Sequence, residues 1–366
     1  MNNPESPVIE PVSTPSAIQA IWKINLQPVG CSLCKQVFLV DPAFANQVCP
    51  NCASTKLEPQ PALLRNEPPE LVIPFAKKRV DLAPIFSQFV KGIWLHNDDF
   101  NPQALLAKAV PVFWPKWLVD SHLIGHWQAE IGFDYQVKSS KESYKQGNWQ
   151  TTEVVETRIR WEKRLGELDR QYNNIAVPAF TDEKNRSGLT GDYQLMNSVS
   201  YDSGLLNQVW IQVPDLHPEQ AWPFARHNLD LVSANECMRA SAGQHIRNAS
   251  IQVNYQNINW SQLLLPLWIT HYHGDDGKPQ MVLINGQTGN IGGRRLASQR
   301  KGWLWAGSLV GVAIGLFILG LICAGLGTMF PPLAIIATIF IILAFAVGGC
   351  AVVPAIWPWQ WNRKYK

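Results

Sequence analysis

Two apolar runs near the C-terminus, Trp303 to Leu326 (WLWAGSLVGVAIGLFILGLICAGL) and Leu333 to Val353 (LAIIATIFIILAFAVGGCAVV), are separated only by Gly327-Thr328-Met329-Phe330-Pro331-Pro332 and contain no charged residue. At about 1.5 Å of rise per residue, each is long enough as a helix to cross a hydrocarbon core of about 30 Å, and a core helix of a soluble domain is rarely apolar on every face for so long. Residues 303–353 are therefore expected to form a transmembrane helical hairpin. Gly307, Gly311 and Gly315 recur every fourth position, a spacing expected to give the second helix a smooth strip to pack on through Ala337, Ala344 and Gly348.

Arg294, Arg295, Arg300 and Lys301 precede the hairpin, Arg363, Lys364 and Lys366 follow it, and its loop has no charge, so both ends are expected on the cytoplasmic side. Trp303, Trp305, Trp357, Trp359 and Trp361 suit the interface those ends share. The expected location is the cell inner membrane, multi-pass, with N- and C-termini cytoplasmic and 354–366 as a cytoplasmic tail. No basic stretch followed by an apolar core opens the chain, so the hairpin itself is expected to direct insertion. The 366 residues carry a net charge of +3, which argues for no partner by itself. Mean hydropathy is only −0.07 despite 46% apolar residues, because a polar body offsets the hairpin.

Residues 1–18, rich in Pro, Ser and Asn and without an apolar period, are expected to be a disordered tail. Cys31-Ser32-Leu33-Cys34 and Cys49-Pro50-Asn51-Cys52 follow, two C-x-x-C knuckles flanking a strand-like Val37-Phe38-Leu39-Val40. Two pairs of thiolates at this spacing converge on one tetrahedral Zn²⁺, so 22–55 reads as a zinc ribbon with Cys31, Cys34, Cys49 and Cys52 as ligands. Four sulfurs leave no position for water, which makes the zinc structural and the module dependent on it for folding.

Pro59, Pro61, Pro68 and Pro69 mark 56–70 as a linker. From 71 to 295 the pattern is that of an α+β body with antiparallel strands. Val155, Thr157, Ile159 and Trp161 alternate with charged residues as in a half-buried strand, and Glu219 to Asn248 is the longest helical candidate, with Leu229, Leu231, Val232, Cys237 and Met238 as its apolar stripe. Cys237 reads as core packing. Pro115-Lys116-Trp117-Leu118 and Pro266-Leu267-Trp268-Ile269 share P-x-W-aliphatic, as a degenerate duplication would, and Asn285-Gly286-Gln287-Thr288-Gly289 reads as a turn between strands.

Ile73-Pro74-Phe75, Pro115-Lys116-Trp117-Leu118-Val119-Asp120, Trp161 with Gly166, Val177-Pro178-Ala179, Leu265-Pro266-Leu267-Trp268, Gly277-Lys278-Pro279 and Asn285 to Gly289, ahead of two membrane helices, resemble the bacterial family of zinc-ribbon membrane proteins often labelled primosomal protein N′-like. The chain departs from that pattern at Asn290, where a basic residue is usual, and at Leu296-Ala297-Ser298. The resemblance implies a membrane-anchored cytoplasmic module, and some members look like anchors for phage-shock-type membrane-remodelling proteins. The lack of G-x-x-x-x-G-K-[ST] argues against a helicase: the nearest segment, Gly274-Asp275-Asp276-Gly277-Lys278-Pro279, has the wrong spacing.

Three functions follow. The preferred one is an adaptor that uses the zinc ribbon and a tryptophan-rich body to recruit a cytoplasmic protein to the bilayer, with no catalytic residue. The second is a membrane-tethered nucleic-acid binder, drawing on the ribbon and Lys77-Lys78-Arg79, though its basic residues are interspersed with acidic ones. The third is a metal-dependent enzyme in which His122, His126, His271 and His273 converge, against which stands the ordinary occurrence of scattered surface histidines.

Overall fold

A computed structural model describes residues 9–45, 47–53, 55–206 and 208–364. In chain order the strands and helices are β1 (Ile9–Val12), α1 (Pro15–Trp22), β2 (Gln27–Gly30), β3 (Val37–Val40), β4 (Glu58–Pro59), β5 (Ala62–Arg65), β6 (Leu71–Val72), α2 (Leu82–Val90), α3 (Pro102–Ala107), β7 (Val110–Lys145) and β8 (Asn148–Val177). They continue with α4 (Glu183–Thr190), β9 (Val199–Ser200), β10 (Trp210–Gln212), α5 (Pro218–Ala240), β11 (His245–His273), β12 (Pro279–Asn285), β13 (Ile291–Gly293), α6 (Gln299–Gly327), α7 (Pro331–Cys350) and α8 (Val352–Lys364).

The sheet is built on β7 and β11, antiparallel from Ile269↔Val110 to His245↔Gly132. The outer edge of β11 takes β6 and β12, with β13 beyond, while that of β7 takes β10 and then β8. The ribbon strands join through β10, which pairs with β3, so the order β10-β3-β2-β4 carries the two knuckles into the main sheet. The expected separation into ribbon, linker and body is not what this arrangement shows. Within 56–70, β5 pairs with β1, and Arg65 is held by Glu70 at 2.7 Å, so this stretch is packed chain despite its prolines. The expected tail is likewise ordered over 9–18, because Val12 and Ile18 are buried with Leu39, Leu64 and Phe113; its residues 1–8 lie outside the described ones.

Beyond Gly132 β11 stops, and β7 and β8 continue alone through thirteen pairs, Phe133↔Arg160 to Lys145↔Asn148. At about 3.3 Å per residue this two-stranded arm projects about 43 Å. Gln146 (φ 51°) and Gly147 (φ 85°) close it, both in the left-handed region that a two-residue hairpin turn requires. Val155 and Ile159 are exposed, so the expected half-buried strand is solvated on both faces here. Up to the arm's base the β7–β8 pair is backed by α5, which buries Ala221, Ala225, Leu229, Ser233 and Cys237 at every fourth position against Leu123, Leu168 and Tyr172. That stripe keeps Leu229 and Cys237 from the expected set but leaves Leu231 and Val232 exposed, and α5 ends at Ala240, where β11 is about to begin. Three asparagines with positive φ, Asn174, Asn248 and Asn257, sit where the register shifts, each a bulge that adds twist to the long strands.

The helices α6 and α7 are long and apolar enough to cross a membrane. Their contact differs from the expected glycine strip: a Cβ at Gly307, Gly311 or Gly315 would meet nothing within 4 Å. The seam instead uses Ala306, Ala313 and Gly320 against Ala337 and Ala344, small residues seven apart that keep facing the partner when helices cross at a shallow angle. The tail after the hairpin is helical, and α8 folds back on the body: Asn362 accepts from the Ala297 amide (2.8 Å) and donates to its carbonyl (2.9 Å). A Cβ at Gly320 would lie 2.8 Å from Ile341. Gly320→Leu is therefore expected to cost about 1–3 kcal/mol by overpacking and to lower the melting temperature of the detergent-purified protein. Gly311→Leu leaves that temperature unchanged.

Candidate metal centre

Each knuckle is made by the same local turn. After β2, Lys35 donates its amide to the Cys31 carbonyl (3.0 Å) with φ 60°, and in the second knuckle Ala53 donates to the Cys49 carbonyl (2.9 Å) with φ 53°. In both cases the residue after the second cysteine turns left-handed, which curls the two sulfurs of the pair toward one point. The four Sγ atoms of Cys31, Cys34, Cys49 and Cys52 lie within 4.8 Å of one another. Across the knuckles Cys31 is 3.6 Å from Cys52 and Cys34 is 3.7 Å from Cys49. A tetrahedral thiolate site with metal–sulfur bonds of about 2.3 Å has edges of about 3.8 Å, so the residues fit a metal ion and are too far apart for disulfides.

The surroundings lower two of the thiols and raise a third. Donation from the Cys49 thiol, ahead of the Asn51 amide, holds Cys34 down to about 4, and Cys49 is pushed up for the same reason: the pair shares one negative charge. Burial opposes ionisation of Cys31, but the amides of Cys34 and Leu33 and the Thr55 hydroxyl (3.1 Å) outweigh it and lower its thiol. Cys31 and Cys49 are buried in a cluster with Val112, Trp210, Leu267 and Ile269 of the main sheet.

A polar bridge ties the knuckles to each other through the body. The Gln36 carbonyl accepts from Cys31 N, and the Gln36 side chain accepts from Gln212 Nε2 (2.5 Å). The Gln212 Oε1 accepts from Arg186 Nη1 (2.9 Å), and Arg186 Nη2 donates to Asn51 Oδ1 (2.8 Å), the residue beside Cys52 that also bonds Cys34. Arg186 is buried on α4, paired with Asp182 at 2.9 Å and placed over the rings of Trp114 and Phe180. Sequence reading finds the four cysteines by their spacing but not Arg186, which stands 135 residues from Asn51 with no motif to link them.

The histidines do not converge. His122 pairs with Gln256 on β11, fifteen residues from His271, or about 50 Å along the strand. His122 bonds Asp169 (2.6 Å), while His273 bonds Asp99 (2.8 Å) with its ring 5.5 Å from that of His271. Burial, with Lys108 and His273 nearby, pushes His271 down to about 4. The two P-x-W elements face each other across the β7–β11 ladder, Pro115 opposite Leu264 and Pro266 opposite Phe113. Trp117 donates to the Leu216 carbonyl and Trp268 to that of Lys77, each in its own cluster. Asn285 to Gly289 is a turn, in which buried Asn285 Oδ1 accepts from Gln287 N and Thr288 N. Arg79 is occupied by the carbonyls of Leu106, Ala107 and Ala109 at the end of α3. No protein-family model, curated protein or solved structure matches the chain.

Two outcomes test the site. Arg186→Met leaves Asn51 and Gln212 short of a charged donor, and is expected to lower folding stability by about 2–3 kcal/mol and to release metal at lower chelator concentration, read with a thiol-independent metal dye. Stripping the metal is expected to remove hydrogen-exchange protection from β2, β3 and β10 together, while the β7–β11 ladder beyond Asp120 stays protected.

Proposed function

We propose that this chain is a membrane-anchored adaptor, whose two apolar helices hold it in the inner membrane with both termini cytoplasmic and whose arm recruits a cytoplasmic protein. Four thiolates in a closed tetrahedral arrangement favour Zn²⁺ over hard divalent cations, and a site without an open position serves structure. Basic residues at both ends of the helical pair support the orientation.

The observation that carries the reading is the arm. A two-stranded ribbon has no core of its own and is marginal in water, so thirteen bare pairs are not there to stabilise the fold. The arm ends in Tyr144 and Trp149, 61% and 71% exposed with ring centroids 5.3 Å apart, side chains of the kind that anchor protein interfaces. Along the arm, Lys138 pairs with Glu153 and Arg158 with Glu156, so it lacks the one-signed charge of a nucleic-acid groove. Its open strand edges also suit addition of a partner strand. The resemblance to zinc-ribbon membrane proteins points to a phage-shock-type membrane-remodelling protein as the class of partner.

The test joins Tyr135 to Arg158 through an Asn-Gly turn, deleting the outer arm while keeping its base. Affinity purification after crosslinking in native membranes is expected to recover one cytoplasmic protein with the wild type and to lose it with the shortened form, at equal zinc content and equal membrane recovery. Trp149→Ala alone is expected to weaken recovery about tenfold or more, the usual effect of an interface anchor. Undiminished recovery with the shortened form sinks the reading.

A further inference from the structure

The loop after α2 places an exposed tryptophan beside the start of the apolar helices. Gly92 turns the chain with φ 89°, after which Ile93 and Leu95 point into the core and Trp94 between them points out, 54% exposed. The Leu95 carbonyl accepts from the amide of Ser298, the residue that caps α6, at 2.6 Å. The Trp94 ring meets Trp357 of α8 edge-on at 6.0 Å, Trp357 stacks on Trp361 at 5.2 Å, and Trp361 Nε1 donates to the Arg295 carbonyl. Trp303 and Trp305, also exposed, follow five and seven residues along α6 from that cap, about 7 and 10 Å of rise. A body-borne tryptophan thus sits within about two helical turns of the helix-borne ones.

The charges around it are mostly basic. Lys91 precedes the loop, Arg300 is exposed on the first turn of α6, and Arg363 lies over the Trp359 ring at 5.5 Å. Of the nearby carboxylates, Asp98 is paired with Lys301 at 2.5 Å and Asp275 accepts from Ser298 Oγ and Arg300 N. Asp276 is exposed in the same turn. Indole rings with an apolar face and a polar edge, interleaved with cations, match the headgroup layer of a bilayer containing anionic phospholipid.

We propose that Trp94 and its loop are a membrane contact made by the body itself, seated among phospholipid headgroups beside α6 and α8. This rests on the reading that α6 and α7 span the bilayer. With Trp94, the start of α6 and the end of α7 in the same layer, the body has a fixed attitude on the membrane instead of swinging on a tether.

The test introduces the photo-crosslinker p-benzoylphenylalanine at one position at a time in the full chain: Trp303→p-benzoylphenylalanine within α6, Trp94→p-benzoylphenylalanine in the loop, and Trp149→p-benzoylphenylalanine at the arm tip. Each protein is reconstituted in vesicles of phosphatidylethanolamine and phosphatidylglycerol, irradiated, and weighed by mass spectrometry. The expected result is phospholipid adduct at 94 at a level comparable with 303, and none at 149. Adduct at 303 with none at 94 overturns the proposal and leaves the spans standing, whereas no adduct at 303 removes the membrane reading and the proposal with it. Equal adduct at 94 and 149 signifies indiscriminate collision and overturns it too, as does capture of a second copy or another protein at 94. Should the change at 94 disturb folding, seen as lost zinc, Lys91→p-benzoylphenylalanine at the exposed residue that leads into the loop gives the same reading.

Discussion

The backbone ladder between β7 and β11 is the constraint on which the rest of the structure hangs. These strands supply the edges that receive β6, β8, β10 and β12, and through β10 they receive the metal knuckles. Their pairing sets which tryptophans face which cluster: Trp117 turns to the side covered by α5 and Trp268 to the side of α2 and α3. A one-residue slip would exchange faces for every side chain on a strand, and the asparagine bulges at 248 and 257 pin the register. The same ladder accounts for the arm, which begins at the pair where β11 runs out. There Gly132 is required by closeness: a Cβ would lie 2.6 Å from Ile159 and 2.9 Å from His245. Arg247 bonds Glu130 at 2.6 Å and covers the Trp161 ring at 4.0 Å, fastening the arm's root.

Within that frame the metal knuckles are part of the sheet. Their buried cysteines share a cluster with residues of β7, β10 and β11, and their polar atoms are reached by Gln212 and Arg186 of the body. A metal ion held in such a place would act on the whole neighbourhood, because the pieces it would order are also the pieces that complete the sheet's far edge.

What the sequence discloses follows from how local each signal is. Charge-free apolar runs, C-x-x-C pairs and the Asn-Gly turn at 285–286 are properties of a few adjacent residues, and each could be read directly. The glycines at 307, 311 and 315 were equally visible, yet the seam fell on alanines seven apart, since a period of four residues marks a face without saying which face meets the partner. The arm was hidden for a related reason: alternating apolar residues such as Val155 and Ile159 signal a strand, while burial depends on whether a third strand or a helix happens to cover it. The prolines of 56–70 suggested a free linker, but proline is compatible with an edge strand such as β4, which contains Pro59. Arg186 and the bulge asparagines lay beyond reach because their meaning resides in contacts with residues far along the chain.

The two central strands also impose an order of events during synthesis. Strand β7 is complete by residue 145, but its partner β11 begins at 245, and β3 must wait for β10 at 210. The β7–β11 ladder and every strand on β11's outer edge are therefore deferred until β11 has been made, a non-local topology that closes slowly. During that interval the β7–β8 hairpin, whose ends are joined by a two-residue turn, forms only transiently, and α5 and then β11 stabilise it as they pack on it. The apolar helices follow within a few residues of the strand that completes the sheet, β13 ending at Gly293 and α6 beginning at Gln299, so closure of the body and emergence of the helices fall in the same short window of translation.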